Sequence, residues 1–114
     1  MAHETTSLIW LVPRFFNVWW EVSARLTLFE FLALYLAKKC GARRMSVADV
    51  TCSAGTQFGT VFPHNWYMRY ALRSLVDHGF MEEHVLGMTH TTLFSLTEEG
   101  ERVLACYLRR MQAL

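Results

Sequence analysis

The chain has 114 residues, 53% of them hydrophobic and 14% aromatic, and a formal net charge of +1. That length suits one domain with a real core and excludes a large assembly of domains, while the near-neutral balance excludes any argument for a polyanion partner from bulk charge alone. Three cysteines without close pairing, Cys40, Cys52 and Cys106, do not make a secreted disulfide framework, so a reducing cytoplasm is the expected compartment.

The opening stretch "MAHETTSLIWLVPRFF" carries Glu4 ahead of its apolar run, and Pro13 and Arg14 break that run. It falls well short of the roughly 20 residues a membrane-spanning helix needs, so neither a signal peptide nor a membrane anchor is expected. Pro13 to Ser23 reads as a helix opened by its proline, whose missing N–H costs nothing in a first turn. Phe15, Phe16, Val18, Trp19, Trp20 and Val22 are too many apolar positions for one narrow stripe, so this helix should be covered on more than one side. A second copy of the chain would cover it.

Next comes "LTLFEFLALYLAKKCG", where Thr27 and Glu30 form a capping box and Lys38, Lys39 and Gly41 supply the stop. Ser46 with Asp49 three residues on starts a short helix that should end near Gly55. The segment "GTQFGTVFPHN" reads as a loop through its breakers Gly55, Gly59 and Pro63. From Asn65 to His78 a further helix puts Met68, Leu72, Leu75 and Val76 on one face and leaves Trp66, Arg69, Tyr70 and Arg73 on the others, with Gly79 as its left-handed stop. Phe80 to Leu86 and Thr91 to Leu96 flank Gly87 as a two-stranded hairpin. Thr97 then caps a last helix running to Gln112, with Val103, Leu104, Tyr107, Leu108 and Met111 as its apolar set. The fold class is mainly α with a small β-hairpin.

Charge is unevenly placed along this order. Lys38, Lys39, Arg43, Arg44, Arg69 and Arg73 are opposed only by Asp49, whereas Asp77, Glu82, Glu83, Glu98, Glu99 and Glu101 then follow with no Lys or Arg among them. A nucleic-acid argument must therefore rest on the middle of the chain.

The joints between these elements resemble a winged helix-turn-helix domain of the MarR type, with the PadR-like group a close second. "LTLFEF" (26–31) is similar to the opening of that family's first core helix, and "MSVADV" (45–50) to the start of its second. "ALRSLVDHGFM" (71–81) resembles the end of the recognition helix and the entry to the wing, and "FSLTEEG" (94–100) the exit from the wing. The resemblance implies a single domain over 1–114: an added N-terminal dimerisation helix at 13–23, a winged-helix core at 27–97 and a C-terminal helix at 98–112. It also implies a symmetric homodimer on double-stranded DNA, one recognition helix per major groove, acting as a transcriptional regulator and most often a repressor. The terminal helices would make the dimer contact, through Phe15, Phe16, Trp19, Trp20, Tyr107 and Met111. Two departures stand out. The chain ends about a helix sooner than typical members, which implies a dimerisation module that is smaller or built mainly from the N-terminal helix, and the wing tip "VLGMTHTT" has no Arg or Lys to reach a minor groove.

Duplex DNA is a dense row of phosphates, so a surface that binds it needs several cations reaching the backbone together. Arg43, Arg44, Arg69 and Arg73 are the candidates. Near the start of the recognition helix Asn65 suits adenine and Arg69 guanine, while Trp66, Tyr67 and Tyr70 suit sugars or thymine methyls. Plainer readings stand beside these: Arg43 and Arg44 as a solvated loop, Arg73 paired with Asp77 four residues on, and Trp66 and Tyr70 as packing residues. The missing wing charge also leaves open a winged-helix module that binds protein instead of DNA.

A small-molecule or protein effector is a further open partner, and Cys40 and Cys52, near basic residues, are the candidates for redox sensing. His78, His84 and His90 have no metal-ligand spacing, although His84 and His90 are placed to face each other across the hairpin. No metal site or cofactor is expected. No Gly-rich phosphate loop, HExxH or Ser-centred elbow occurs, so the chain reads as a non-enzyme.

Overall fold

The computed structural model describes residues 3–39, 44–58 and 65–113, with side chains over 11–39, 44–53 and 66–113. In chain order the elements are α1 (His3–Trp19), α2 (Leu28–Lys39), α3 (Val47–Phe58), α4 (Asn65–Asp77), β1 (Met81–Leu86), β2 (Thr91–Leu96) and α5 (Glu98–Gln112). This is the mainly α architecture with one hairpin that the sequence predicts.

The first helix departs from expectation. It begins at His3 and ends at Trp19, so Pro13 lies in its interior and not in its first turn. A proline there has no N–H to give the carbonyl of Ile9, and that loss breaks a helix unless packing compensates. Packing does so along Leu11, Phe15, Val18 and, in the corner beyond the helix, Val22, all buried. Pro13 sits on the opposite, exposed side with Phe16, Asn17 and Trp20.

The second helix is the centre of the domain. Phe31, Leu32, Ala33, Leu34, Leu36 and Ala37 are all buried, as befits a helix that is apolar all round. It packs against α3, α4, α5 and β2. Its start is the expected capping box: Thr27 N–H donates to Glu30 Oε1 at 2.7 Å, and Glu30 N–H donates to Thr27 Oγ1 at 3.1 Å. The third helix begins in the same way, with Ser46 N–H to Asp49 Oδ2 and Asp49 N–H to Ser46 Oγ, both 3.1 Å. It runs on to Phe58, past the stop expected near Gly55. The loop expected after it falls largely outside the described residues.

Two joints rely on backbone contacts that only particular residues permit. Gly79, at φ 81°, ends α4 with its own N–H on the Val76 carbonyl at 3.0 Å, while Phe80 N–H reaches the Leu75 carbonyl at 2.9 Å. The Phe80 carbonyl then accepts Thr97 N–H at 3.2 Å. Thr97 caps α5 by accepting from Gly100 N–H at 3.1 Å. This brings the first turn of α5 so close to Phe80 that a Cβ on Gly100 would lie 2.0 Å from the Phe80 carbonyl oxygen.

The strands pair antiparallel, from Met81 opposite Leu96 to Leu86 opposite Thr91. Met45 adds an isolated bridge to Phe94, with N–H to carbonyl bonds of 2.8 and 2.7 Å in the two directions. The segment before α3 is thereby tied to the root of the hairpin.

The corner between α1 and α2 is held by side chains. Trp19 Nε1–H donates to the Leu26 carbonyl at 2.7 Å, and Arg25 donates to the Trp20 carbonyl at 3.3 Å. From α5, Arg110 pairs with Glu21 at 3.0 Å. Tyr107 completes the corner: its hydroxyl donates to the Ala24 carbonyl at 3.0 Å and accepts Leu26 N–H at 2.9 Å. Its ring stacks on Phe15 at 5.5 Å. Burial, partly offset by the Leu26 bond, pushes the Tyr107 phenol above its ordinary value of 10.0.

Replacing Tyr107 by Phe strands the Leu26 N–H and the Ala24 carbonyl, and should cost about 1–3 kcal/mol in urea unfolding at neutral pH. Because the folded-state pKa is the raised one, the phenol's contribution is intact below pH 10.0 and falls as pH rises through the folded value. The gap between wild type and Y107F should therefore narrow in alkaline urea titrations. Gly100→Ala should lower stability by about 1–3 kcal/mol, because backbone and not a movable side chain blocks the new methyl. A thermal melt unchanged from wild type would contradict that close approach.

Candidate nucleic-acid interface

Helical periodicity divides α4 into an anchored and a free face. Met68, Leu72 and Leu75 are fully buried and Ala71 nearly so. Trp66 and Tyr70 are consequently turned outward, 61% and 68% exposed, and Arg69 and Arg73 are exposed with them. Tyr67 is more sheltered, its ring stacked on Phe29 at 5.6 Å. The backbone of Asn65 opens the helix, but its side chain lies outside the described residues.

The free face of α4 forms one wall of a concavity of about 450 Å³ whose other walls are the start of α3 and the strand β2. Arg69 and Arg73 line it together with Ser46, Glu83, His90 and Thr91. The cations of α4 are thus joined by hydroxyl donors from two other elements, a combination suited to phosphate oxygens. Arg69 makes no ion pair among the described residues. Arg73 does, and its partner is Glu83 across the groove, not Asp77 on its own helix as the sequence suggested.

Arg44 is exposed and directly precedes the Met45–Phe94 bridge, so it stands at the root of the hairpin beside the groove. Arg43 and Cys40 lie outside the described residues. Sequence reasoning missed Ser46, His90 and Thr91 as groove residues. For Thr91 the period-2 alternation of β2 was the only signal, and it does not say which face meets α4.

Half of the acidic stretch is paired within the protomer. Besides Glu83 with Arg73, Glu101 pairs with Lys38 at 2.6 Å and Glu99 with Arg102. Glu98, Glu99 and Glu101 occupy the first turn of α5, where the helix dipole favours negative charge. The wing tip is apolar: Val85, Leu86 and Met88 are exposed, Met88 by 96%.

The three histidines go separate ways. His78 Nδ1 lies 2.7 Å from the Ser74 carbonyl, and His84 Nε2 lies 2.9 Å from Ser95 Oγ. His90 sits in the turn at φ 55°. The residue opposite His84 is Leu93, not His90, because the turn spans 87–90 and the register therefore pairs Leu86 with Thr91.

The residues expected at a dimer contact divide as well. Phe15, Tyr107 and Met111 are buried within the protomer, where their area is already used by the core that Phe15, Tyr107 and Phe31 form. Phe16 and Trp20 remain on the outer side of α1, 56% and 62% exposed. Trp19 is partly sheltered by its bond to Leu26 and by the Arg25 guanidinium 5.3 Å above its ring. Among the described residues no helix is long and apolar enough to cross a membrane.

The sequence matches no protein-family model and no curated protein. The backbone does match solved structures. A MarR family protein from Bacillus stearothermophilus superposes with a TM-score of 0.66 at 16% identity, over 90% of this chain and 64% of that one, so the chain spans just under two thirds of that protein's length. Bordetella bronchiseptica BpsR, whose DNA binding is regulated by 6-hydroxynicotinic acid, gives a TM-score of 0.64 at 14% identity, over 95% of this chain and 80% of that one. The likeness lies in the path of the backbone: the chain has a MarR-type winged-helix fold.

Proposed function

We propose that this chain is a sequence-specific, double-stranded DNA-binding transcriptional regulator, a repressor that acts in the cytoplasm as a homodimer. The observation that carries the reading is the groove between α4 and the hairpin, where Arg69 and Arg73 meet hydroxyls from α3 and β2. In this reading α4 enters the major groove. Arg69, the one of the pair with no described counter-ion, reads guanine, and Asn65 at the helix start reads adenine. Trp66, Tyr67 and Tyr70 pack on sugars and thymine methyls, while Arg44 holds the phosphate backbone on the hairpin side and Arg43, its neighbour in sequence, adds a further cation for phosphate. Arg73 contributes less while Glu83 holds it.

The outward aromatics of α1 support the homodimer. Phe16 and Trp20 are large, exposed and adjacent on one side of a helix whose other side is already buried, and a two-fold contact buries such a patch against its own copy. The dimer sets two recognition helices about one DNA turn apart on a pseudo-palindromic site. The two solved neighbours, one named for the MarR family and one with regulated DNA binding, support the same reading. The non-enzyme reading rests on the sequence, which has no Gly-rich phosphate loop, HExxH or Ser-centred elbow.

A second reading has its own observation. The exposed, cation-free wing tip of Val85, Leu86 and Met88 suits a protein partner better than a minor groove. Binding to random duplex across a salt series separates the two. A steep fall of affinity with salt supports DNA, and no binding at low salt supports the protein partner.

Arg69→Ala should cost about 1–3 kcal/mol on a selected duplex and relax base preference at one position, whereas Arg44→Ala should weaken all sequences alike and lower the salt slope by about one. Unchanged affinity in both variants would displace the site from this groove. Trp20→Glu should shift sedimentation from dimer to monomer with helicity retained. A dimer that survives the new charge would move the contact away from α1.

A further inference from the structure

Behind the DNA-facing side of α4 lies a separate cleft, between that helix and the first turn of α2. It encloses about 330 Å³, within the range of small-molecule sites. Four aromatic rings wall it in a continuous series: Phe29 stacks on Tyr67 at 5.6 Å, Tyr67 meets Trp66 edge-on at 4.8 Å, and Trp66 meets Tyr70 at 5.8 Å. Ring faces carry the negative side of the aromatic quadrupole.

Among the described residues, Glu30 is the only charged one lining the cleft. It is 7% exposed, the one charged side chain among the buried residues described. Its carboxylate accepts Thr27 N–H and the Ser74 hydroxyl. Two neutral donors leave part of its acceptor capacity open, and no ion pair to it exists among the described residues. A buried carboxylate without a counter-ion is costly, and a cation beside it removes the cost. The Thr27 and Glu30 amides are already engaged in the capping box, so this helix end offers an anion less than an uncapped one would. Arg69 and Arg73 line the neighbouring concavity, on the other side of Trp66 and Tyr70.

We infer that this cleft binds a small organic cation, an alkylated ammonium group on a compact apolar body, held by the faces of Trp66 and Tyr70 and neutralised by Glu30. Because both rings also belong to the DNA-contacting set, an occupied cleft draws them away from the duplex. That second step rests on the DNA-binding reading; the cation site itself does not.

Isothermal titration of the full chain without DNA, using benzyltrimethylammonium, benzyl alcohol and benzoate, tests the site. The cation should bind saturably and more tightly than the alcohol, and benzoate should not bind. Glu30→Gln retains an N3 side chain able to complete the capping box, and should weaken the cation about tenfold while leaving the alcohol unchanged. Trp66→Ala, at an exposed position, should weaken the cation about tenfold with the melting temperature held. Absence of cation binding, equal binding of benzoate or the alcohol, or a cation affinity unmoved by both substitutions would each overturn the site. A parallel duplex assay tests the coupling: duplex affinity should fall as the cation saturates, and constant affinity would refute coupling while leaving the calorimetric site intact. A protein that binds the cation but no duplex at any salt would refute the DNA reading alone.

Discussion

The molecule depends on the burial of α2 from every side. Its apolar run leaves no face for water, so α3, α4, α5 and the root of the hairpin must all lie against it. Each of those elements then has one face committed and one face free, and function is confined to what remains. For α4 the consequence is direct: with Met68 and Leu72 inserted into the core, Arg69 and Arg73, one position along, can only point outward. The orientation of the arginine pair is thus a packing result, obtained without any contact that the arginines make themselves.

Local electrostatics matter more than net charge in such a molecule. The acidic stretch from Asp77 to Glu101 does not form an acidic surface of equal weight, because Glu83, Glu99 and Glu101 are each matched by a basic partner. Exposed pairs of this kind add little stability. Their effect is to subtract charge at chosen places, most visibly at Arg73, whose cation is present in the groove but partly neutralised there. Lys38, basic in sequence, is likewise spent on α5. Residues that count equally in a tally of charge are therefore unequal as ligands for phosphate.

Much of this architecture was readable from local signals. Thr27 with Glu30, Ser46 with Asp49, Thr97 and Gly79 mark helix ends through side-chain and backbone chemistry that operates over three or four residues, and all four act as read. The face of α4 was legible for the same reason, since periodicity is local. The start of α1 was not legible, because whether an interior proline is tolerated depends on the core that the helix meets later in folding. The burial of Phe15, Tyr107 and Met111 was hidden too: an aromatic surplus looks the same in sequence whether it fills a core or covers a partner. Cross-element pairing, as of Arg73 with Glu83 or Glu30 with Ser74, has no sequence signature at all.

The corner between α1 and α2 carries a consequence for assembly. Trp19, Arg25, Glu21 and Tyr107 clamp it through bonds from α1, from within the corner and from α5. A chain joined to its twin through the outer side of α1 would therefore behave as a stiff lever arm, with no pliant tether between the join and the reading head. The separation of two half-sites on an operator would then be set by this clamp, and natural variants in which it is loosened would tolerate a wider range of operator spacings.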